Sequence, residues 1–287
     1  MSIRGKFFLG LSSLIYSSQT IIRFLFLKQQ EQLNKDSDVV VSLTTFPPRI
    51  KHVILTLKSI LTQSVKPNQV ILYLSKDEFG DQEIPVSLLK LKKYGVTIEF
   101  VDGNIKSYKK LLYAKKTYPK KNIVTADDDV CYPFRWLENL IKESKKNPDD
   151  IIFYRGHLMC DQNRKLLPYK KMLELDSSGV KSSFDFLPTG IGGILYPPES
   201  MHQDWDNMEL INKLAPNADD IWFKAMTLLS GRKCTRVNDF NILFPPVLGS
   251  QKQSLKKINV DSSENNNDKQ LNMVFKYYGL MGKIYDI

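Results

Sequence analysis

Val39-Val40-Val41-Ser42-Leu43-Thr44-Thr45-Phe46-Pro47-Pro48 is the stretch on which the fold of this chain turns. It is rich in β-branched residues and does not alternate polar with apolar positions, which suits a parallel strand covered on both faces. Pro47 and Pro48 end it, because proline donates nothing to a sheet ladder. Further along, Val53, Leu57, Ile60 and Leu61 recur at helical spacing and predict an amphipathic helix over 51–64. Val70 to Leu74 reads as a second strand, 85–94 as a short helix opened by Pro85 and stopped by Gly95, and Val96 to Val101 as a third strand. Ile105, Tyr108, Leu111 and Leu112 mark another helix, and Asn122 to Ala126 a fourth strand. This alternation predicts βαβ units: an α/β fold of Rossmann-like type, its mostly parallel central sheet flanked by helices. Right-handed crossovers make the carboxyl ends of the strands the ligand edge. Thr44, Thr45, Asp102 and Asp127-Asp128-Asp129 all fall there.

The second half is less regular. Trp136, Leu137, Leu140 and Ile141 predict a helix, and Ile151 to Tyr154 a strand. The polar, basic stretch from His157 to about Asp185 is too long for an ordinary connection and reads as a functional loop or lid. A helix carrying Ile221, Ala225, Leu228 and Leu229 stops at Gly231, and residues 259–270 read as a mobile loop.

The chain has 287 residues, 42% of them hydrophobic, enough for a full core without disulfides or a structural metal. Cys131, Cys160 and Cys234 are widely spaced and form no C-x-x-C pair, so they read as reduced thiols of a cytosolic protein. A net charge of +10 suits nucleic acid, an anionic membrane surface or a phosphorylated small substrate. Most lysines, among them Lys90, Lys92, Lys93, Lys109, Lys110, Lys115 and Lys116, are scattered along helical segments and read as solvated faces. The N-terminal segment 1–36 is basic, and Phe7 to Ile22 falls short of the roughly 18–20 apolar residues of a spanning helix. It is either an interfacial helix on an anionic membrane or a helix packed on the domain. The expected organisation is that segment, a main domain over 37–250, and a C-terminal loop and helix over 251–287.

Three adjacent carboxylates at Asp127-Asp128-Asp129 repel one another, and a fold that gathers them usually offsets the charge with a hard divalent cation, Mg²⁺ or Mn²⁺. A turn held by aspartate side chains is the plainer alternative. In Asn217-Ala218-Asp219-Asp220, Asn217 reads as the N-cap of a helix with acidic residues in its first turn, or else the aspartates supply a general base. Gly190-Ile191-Gly192-Gly193 lacks the frame of a phosphate-cradling loop and reads as tight backbone packing or close approach to a ligand. His52, His157 and His202 have no metal-ligand spacing.

Four segments in order resemble bacterial glycosyltransferases of the GT-A type that build capsule, exopolysaccharide or lipopolysaccharide. They are Val41 to Ile50, Ala126 to Pro133, Gly190 to Pro198 and Ala218 to Trp222. The resemblance implies a GT-A fold and a hexosyltransferase that moves sugar from a nucleotide-diphospho-sugar to a hydroxyl of a glycan or lipid-linked acceptor, metal-dependent and inverting. It places Thr44, Thr45 and Arg49 beside the nucleotide, Asp102 near base or ribose, and Lys109 or Lys110 by a phosphate. Asp127 and Asp129 match the family's D-x-D; Asp129 is the direct metal ligand, Asp127 lies nearer ribose or metal, and Asp128 joins Asp127 in binding the nucleotide-sugar. Gly190, Gly192, Gly193 and Trp222 line the sugar and acceptor cleft, and Asp220 or Asp219 is the catalytic base. Many members add a late histidine to the metal; this chain has none after His202. The implied location is cytoplasmic, peripheral on the inner face of the cell membrane. The rival expectations are a nucleotidyltransferase acting on sugar phosphates, which needs a glycine- and lysine-rich triphosphate loop, and a basic nucleic-acid-binding protein, for which no motif is present.

Overall fold

The computed structural model describes residues 3–28, 33–80, 82–160, 165–250 and 267–283. They belong to two compact units, one formed by 1–141 and 243–254, the other by 142–242 and 255–287.

In unit one, helix α1 (Ile3–Leu25) precedes β1 (Val39–Thr44), α2 (Val53–Leu61), β2 (Gln69–Ser75), two single-turn helices α3 (Lys76–Phe79) and α4 (Val86–Leu89), β3 (Val96–Val101), α5 (Lys109–Thr117) and β4 (Asn122–Thr125). α6 (Trp136–Lys146) follows. The strands run in the order β3-β2-β1-β4, and every ladder among them is parallel. This is the expected βαβ pattern. The apolar run Val39–Leu43 is buried throughout, as a strand covered on both faces must be. Leu57, Ile60, Leu72, Leu111 and Ile123 complete the core around it. Gly95 ends the helical segment 86–94 at φ +95°, a conformation that costs a side chain but not glycine. The chain steps from β1 to β2 to β3 on one side and then returns to lay β4 on the other side of β1. The strand order therefore reverses between β1 and β4, and crevices at such reversals are where open α/β sheets bind ligands.

Unit two contains β5 (Ile151–Phe153), β6 (Gly156–Leu158), α7 (Tyr169–Glu174), β7 (Ser182–Ser183), β8 (Phe186–Pro188), β9 (Ile194–Tyr196), α8 (Met208–Leu214), α9 (Asp219–Leu229), β10 (Cys234–Arg236) and α10 (Asn267–Tyr277). β5 pairs with β10 in parallel and with β9 antiparallel, β7 joins β10 antiparallel, and β6 pairs separately with β8. Phe153, Phe186, Phe223 and Phe275 fill its core.

Three expectations are corrected here. The stretch 157–185 is not one long loop. It contributes β6, α7 and β7, its backbone is tied by Met159 N–H to Asp185 O at 2.9 Å and Leu167 N–H to Met159 O at 2.8 Å, and Met172 is buried beneath it; residues 161–164 lie outside the described residues. The loop expected over 259–270 is helical from Asn267, because Leu271, Val274 and Phe275 recur on one buried face; residues 259–266 lie outside the described residues. Asn217 does not cap α9: Ala218 holds that position, and the Asn217 N–H is spent on Gln270 Oε1 at 2.9 Å. Cys131, Cys160 and Cys234 are buried.

Candidate functional site

β4 delivers Asp127-Asp128-Asp129 at its carboxyl end, beside the end of β1, where the strand order of unit one reverses. The three carboxylates have different surroundings. Asp128 is an internal anchor: Thr45 Oγ1 donates to its Oδ2 at 2.5 Å, and Arg49 Nη1 reaches its Oδ1 at 2.7 Å. Arg49 ends the single 3₁₀ turn formed by Pro47–Arg49, and its Nη2 also meets Asp129 Oδ2 at 3.2 Å. Burial opposes the guanidinium charge, but Asp128 and Asp129 outweigh that and raise the Arg49 pKa above its ordinary value. Asp129 is 6% exposed; burial pushes its pKa up to about 6, with Arg49 pulling the other way. Asp127 is more open and pairs with Lys110 Nζ at 2.9 Å.

The loop that carries these residues is held on all sides. Tyr132, fully buried and stacked on Trp136 at 4.2 Å, takes the Asp127 N–H on its hydroxyl oxygen at 2.9 Å. From α2 and the second residue beyond it, Thr56 Oγ1 donates to Asp128 O at 3.0 Å, Ser59 Oγ accepts the Tyr132 N–H at 3.1 Å, and Gln63 Nε2 donates to Pro133 O at 2.8 Å. On the other side, Val247 N–H donates to Asp129 O at 2.7 Å and Cys131 N–H to Pro245 O at 3.1 Å, with a bridge between Val130 and Pro246. None of Tyr132, Thr56, Ser59, Gln63 or Pro245–Val247 stood out in the sequence. The one signal was the row Thr56-Ser59-Gln63 at helical spacing along and just past α2, which reads equally as the polar side of an amphipathic helix.

Other expected residues of unit one are only partly brought together. Thr44 Oγ1 donates to Tyr73 O at 2.9 Å. Lys109 is turned away: its Nζ is buried against Glu78 at 2.5 Å and Asn104 at 3.2 Å, so Lys110 is the lysine that meets the acidic loop. Asp102, at the end of β3 two strands from β1, is exposed and pairs with Lys76 at 2.9 Å.

In unit two, Gly190–Gly192 forms a 3₁₀ turn that leads through Gly193, at φ +84°, into β9. The Gly190 N–H donates to Asp220 Oδ2 at 3.3 Å, so the glycine segment and the first turn of α9 meet. A side chain at Gly192 would come within 3.0 Å of Tyr154 Cβ and 3.1 Å of the Arg155 nitrogen, which bears out the reading of tight packing. Arg155 Nη1 donates to Thr189 Oγ1 at 3.0 Å, and burial lowers its pKa against the pull of Tyr169 and Asp220. Tyr169 is raised to about 12 by burial and by Asp220. Arg155 and Tyr169 thus belong to the electrostatic surroundings of Asp220, and nothing in the sequence pointed to them. Trp222 does not line a cleft: it is fully buried in α9, its indole N–H donating to Trp205 O at 2.9 Å. His157 is buried, and burial together with Arg155 and Arg236 lowers its pKa to about 4, so it is neutral at physiological pH.

The donor set of the acidic loop is all hard oxygen, from Asp129 and Asp127. Among the described residues no three acidic, histidine or cysteine groups gather as a metal cage. Two carboxylates nonetheless fit a cation such as Mg²⁺, which is commonly held by one or two carboxylates and completed by substrate phosphates and water.

No family model matches the chain, and no curated protein matches it. Among solved structures it is similar to a mannosyltransferase from Pyrobaculum calidifontis in complex with GDP-Man and Mn²⁺, at 14% identity and a TM-score of 0.47 over 97% of this chain and 81% of that one. It is also similar to a CMP:2-keto-3-deoxy-manno-octonic acid synthetase complexed with CTP, at 11% identity and 0.39 over 71% and 89%. A UDP-glucose pyrophosphorylase in its apo form shares 9% identity at 0.40 over 84% and 98%. At these identities and scores the likenesses assign no activity to the chain.

Proposed function

We propose that the chain is a glycosyltransferase that moves a hexosyl group from a nucleotide-diphospho-sugar to a hydroxyl of a glycan or lipid-linked acceptor, with inversion at the anomeric carbon. The observation that carries this reading is the buried acidic loop at the reversal of strand order in unit one, backed by Arg49 and Lys110. A carboxyl buried until its pKa reaches about 6 is costly alone and favourable beside a cation. Asp129 and Asp127 would hold Mn²⁺ or Mg²⁺, which when bound offsets charge on the departing diphosphate. Arg49 fixes Asp128 and Asp129 and adds a permanent positive charge behind them. Thr45 and the α2 row hold the loop in place, and that rigidity is what electrostatic stabilisation requires. In unit two, Asp220, oriented by the Gly190 N–H, or Asp219 beside it, takes the proton of the acceptor hydroxyl.

A nucleotidyltransferase would share the nucleotide and the cation but needs a triphosphate cradle after β1. The chain has Phe46-Pro47-Pro48-Arg49 there, with Arg49 already engaged by two carboxylates. Incubating the protein with Mn²⁺ and nucleotide sugars, and separately with nucleoside triphosphates and sugar phosphates, separates the two. Release of a nucleoside diphosphate with labelled sugar on an acceptor is expected. Release of pyrophosphate from the triphosphate mixture would replace the transferase reading by its rival.

A further inference from the structure

Helix α1 is packed with its polar face inward. Ser13, Ser17 and Thr20 are buried against the rest of unit one, and Ser17 Oγ lies 3.7 Å from Cys131 Sγ. The ring of Phe24 rests 4.7 Å from Tyr94, with the Lys58 ammonium 4.9 Å above it. The apolar residues point the other way: Leu11, Leu14, Ile15, Ile21 and Ile22 are between 44% and 55% exposed, Leu25 is 75% exposed, and Phe26, just past the helix end, is 83% exposed. They recur three, four and seven residues apart and share one face, about 22 Å long at the rise of an α-helix, with Ser18 and Gln19 at the turn between its two apolar ends. A helix on a water-soluble domain ordinarily turns such a stripe to the core and its serines to solvent. A patch of this size marks an interaction surface.

The charge around the stripe says what covers it. Residues 1–35 carry Arg4, Lys6, Arg23, Lys28 and Lys35 against Glu31 alone. The Arg23 guanidinium stands 4.8 Å from the Phe134 ring centroid, and that ring is itself exposed, extending the apolar surface beside a positive charge. A second copy of the chain would bring the same basic residues to the stripe and repel it, whereas an anionic lipid surface offsets them. No helix among the described residues is long and apolar enough to cross a membrane. We propose that α1 lies in the plane of an anionic bilayer surface, the stripe Leu11–Phe26 sunk to the boundary of headgroups and acyl chains and the basic residues among the headgroups.

The test is co-sedimentation of the full chain with vesicles of phosphatidylcholine alone and of phosphatidylcholine with phosphatidylglycerol, roughly two to one, at low and high salt. Binding is expected to the anionic vesicles, weakened by salt, and reduced about tenfold or more in Ile22→Ser/Leu25→Ser/Phe26→Ser. These side chains are exposed, so the thermal midpoint should not move; Phe26→Ser alone, outside the helix, gives a smaller loss of the same sign should the triple variant be unstable. Equal binding to neutral and anionic vesicles, or undiminished binding by the variants, overturns the proposal. So does an absence of vesicle binding accompanied by a dimer that the triple substitution dissociates, which would assign the stripe to a second copy. No outcome depends on sugar transfer.

Discussion

Asp129→Asn is expected to lower sugar transfer about 10²- to 10³-fold, the scale of losing one preorganised electrostatic stabiliser, while the protein stays as stable as the parent or gains slightly at neutral pH. The two effects have one cause. Asp129 is buried, and its pKa stands at about 6 against an ordinary 3.8, so without a cation its negative charge costs the folded state more than Arg49 returns. The folded state holds the proton more tightly than the unfolded one, so the stability contributed by this group is fully present below about pH 4 and lost as pH rises towards 6. At pH 7 the charged carboxylate therefore costs on the order of 3 kcal/mol, which a neutral amide of the same shape removes, less what Arg49 loses as a partner. Transfer assays and denaturant unfolding of the two proteins check both halves. A fall in stability without a fall in transfer would make Asp129 a structural residue like its neighbour Asp128.

Arg236→Met is expected to cost about 3–5 kcal/mol of unit two's stability. Arg236 is fully buried at the end of β10, and among the described residues no carboxylate is in ion-pair contact with it, although Asp239 and Asp176 favour its charge from further away. Its guanidinium instead gathers two loops. Nη2 donates to Ser177 O and Val180 O at 2.7 Å and to Asp239 O at 2.8 Å, Nε to Asn238 O at 3.0 Å, and Nη1 to Ser177 Oγ and Asn241 Oδ1 at 3.1 and 3.2 Å. Removing the fork takes from Val180 O and Asn238 O the donor they have here, each loss costing about 1–3 kcal/mol unless water reaches it, whereas Ser177 O keeps the Val180 N–H and Asp239 O the Gly179 N–H. Asn241 also accepts the Gly156 N–H at 3.0 Å, so the loss spreads to β6. Arg236→Lys keeps the charge but not the planar fork, and recovers less than half of the loss. Urea unfolding of the three proteins measures this directly.

The first half of the chain was legible because its strands are continuous apolar runs with little else they could be. Val96–Val101 has the bounds the sequence predicts, and β1, β2 and β4 differ from expectation by a residue or two. What local pattern could not show is which polar residues are buried. Thr56, Ser59 and Gln63 look like the solvent side of an amphipathic helix, yet they hold a loop 72, 73 and 70 residues away along the chain. Asp127, Asp128 and Asp129 are equivalent as letters, and their different roles come from Lys110, Thr45 and Arg49 closing around them in space. The resemblance put Trp222 at the cleft, but α9 is buried on nearly every side and Trp222 lies in its core. α1 inverts the usual rule, and its composition alone left both a packed helix and a surface-bound one open.

Calorimetric titration of the protein with UDP, GDP and CDP, each with and without Mn²⁺, tests the assignment of the acidic loop most directly. One nucleoside diphosphate is expected to bind with Mn²⁺, much more weakly without it, and not detectably to Asp129→Asn. Binding of none of the three in the presence of Mn²⁺, or binding indifferent to both the metal and Asp129, would contradict a nucleotide-sugar site at the end of β4.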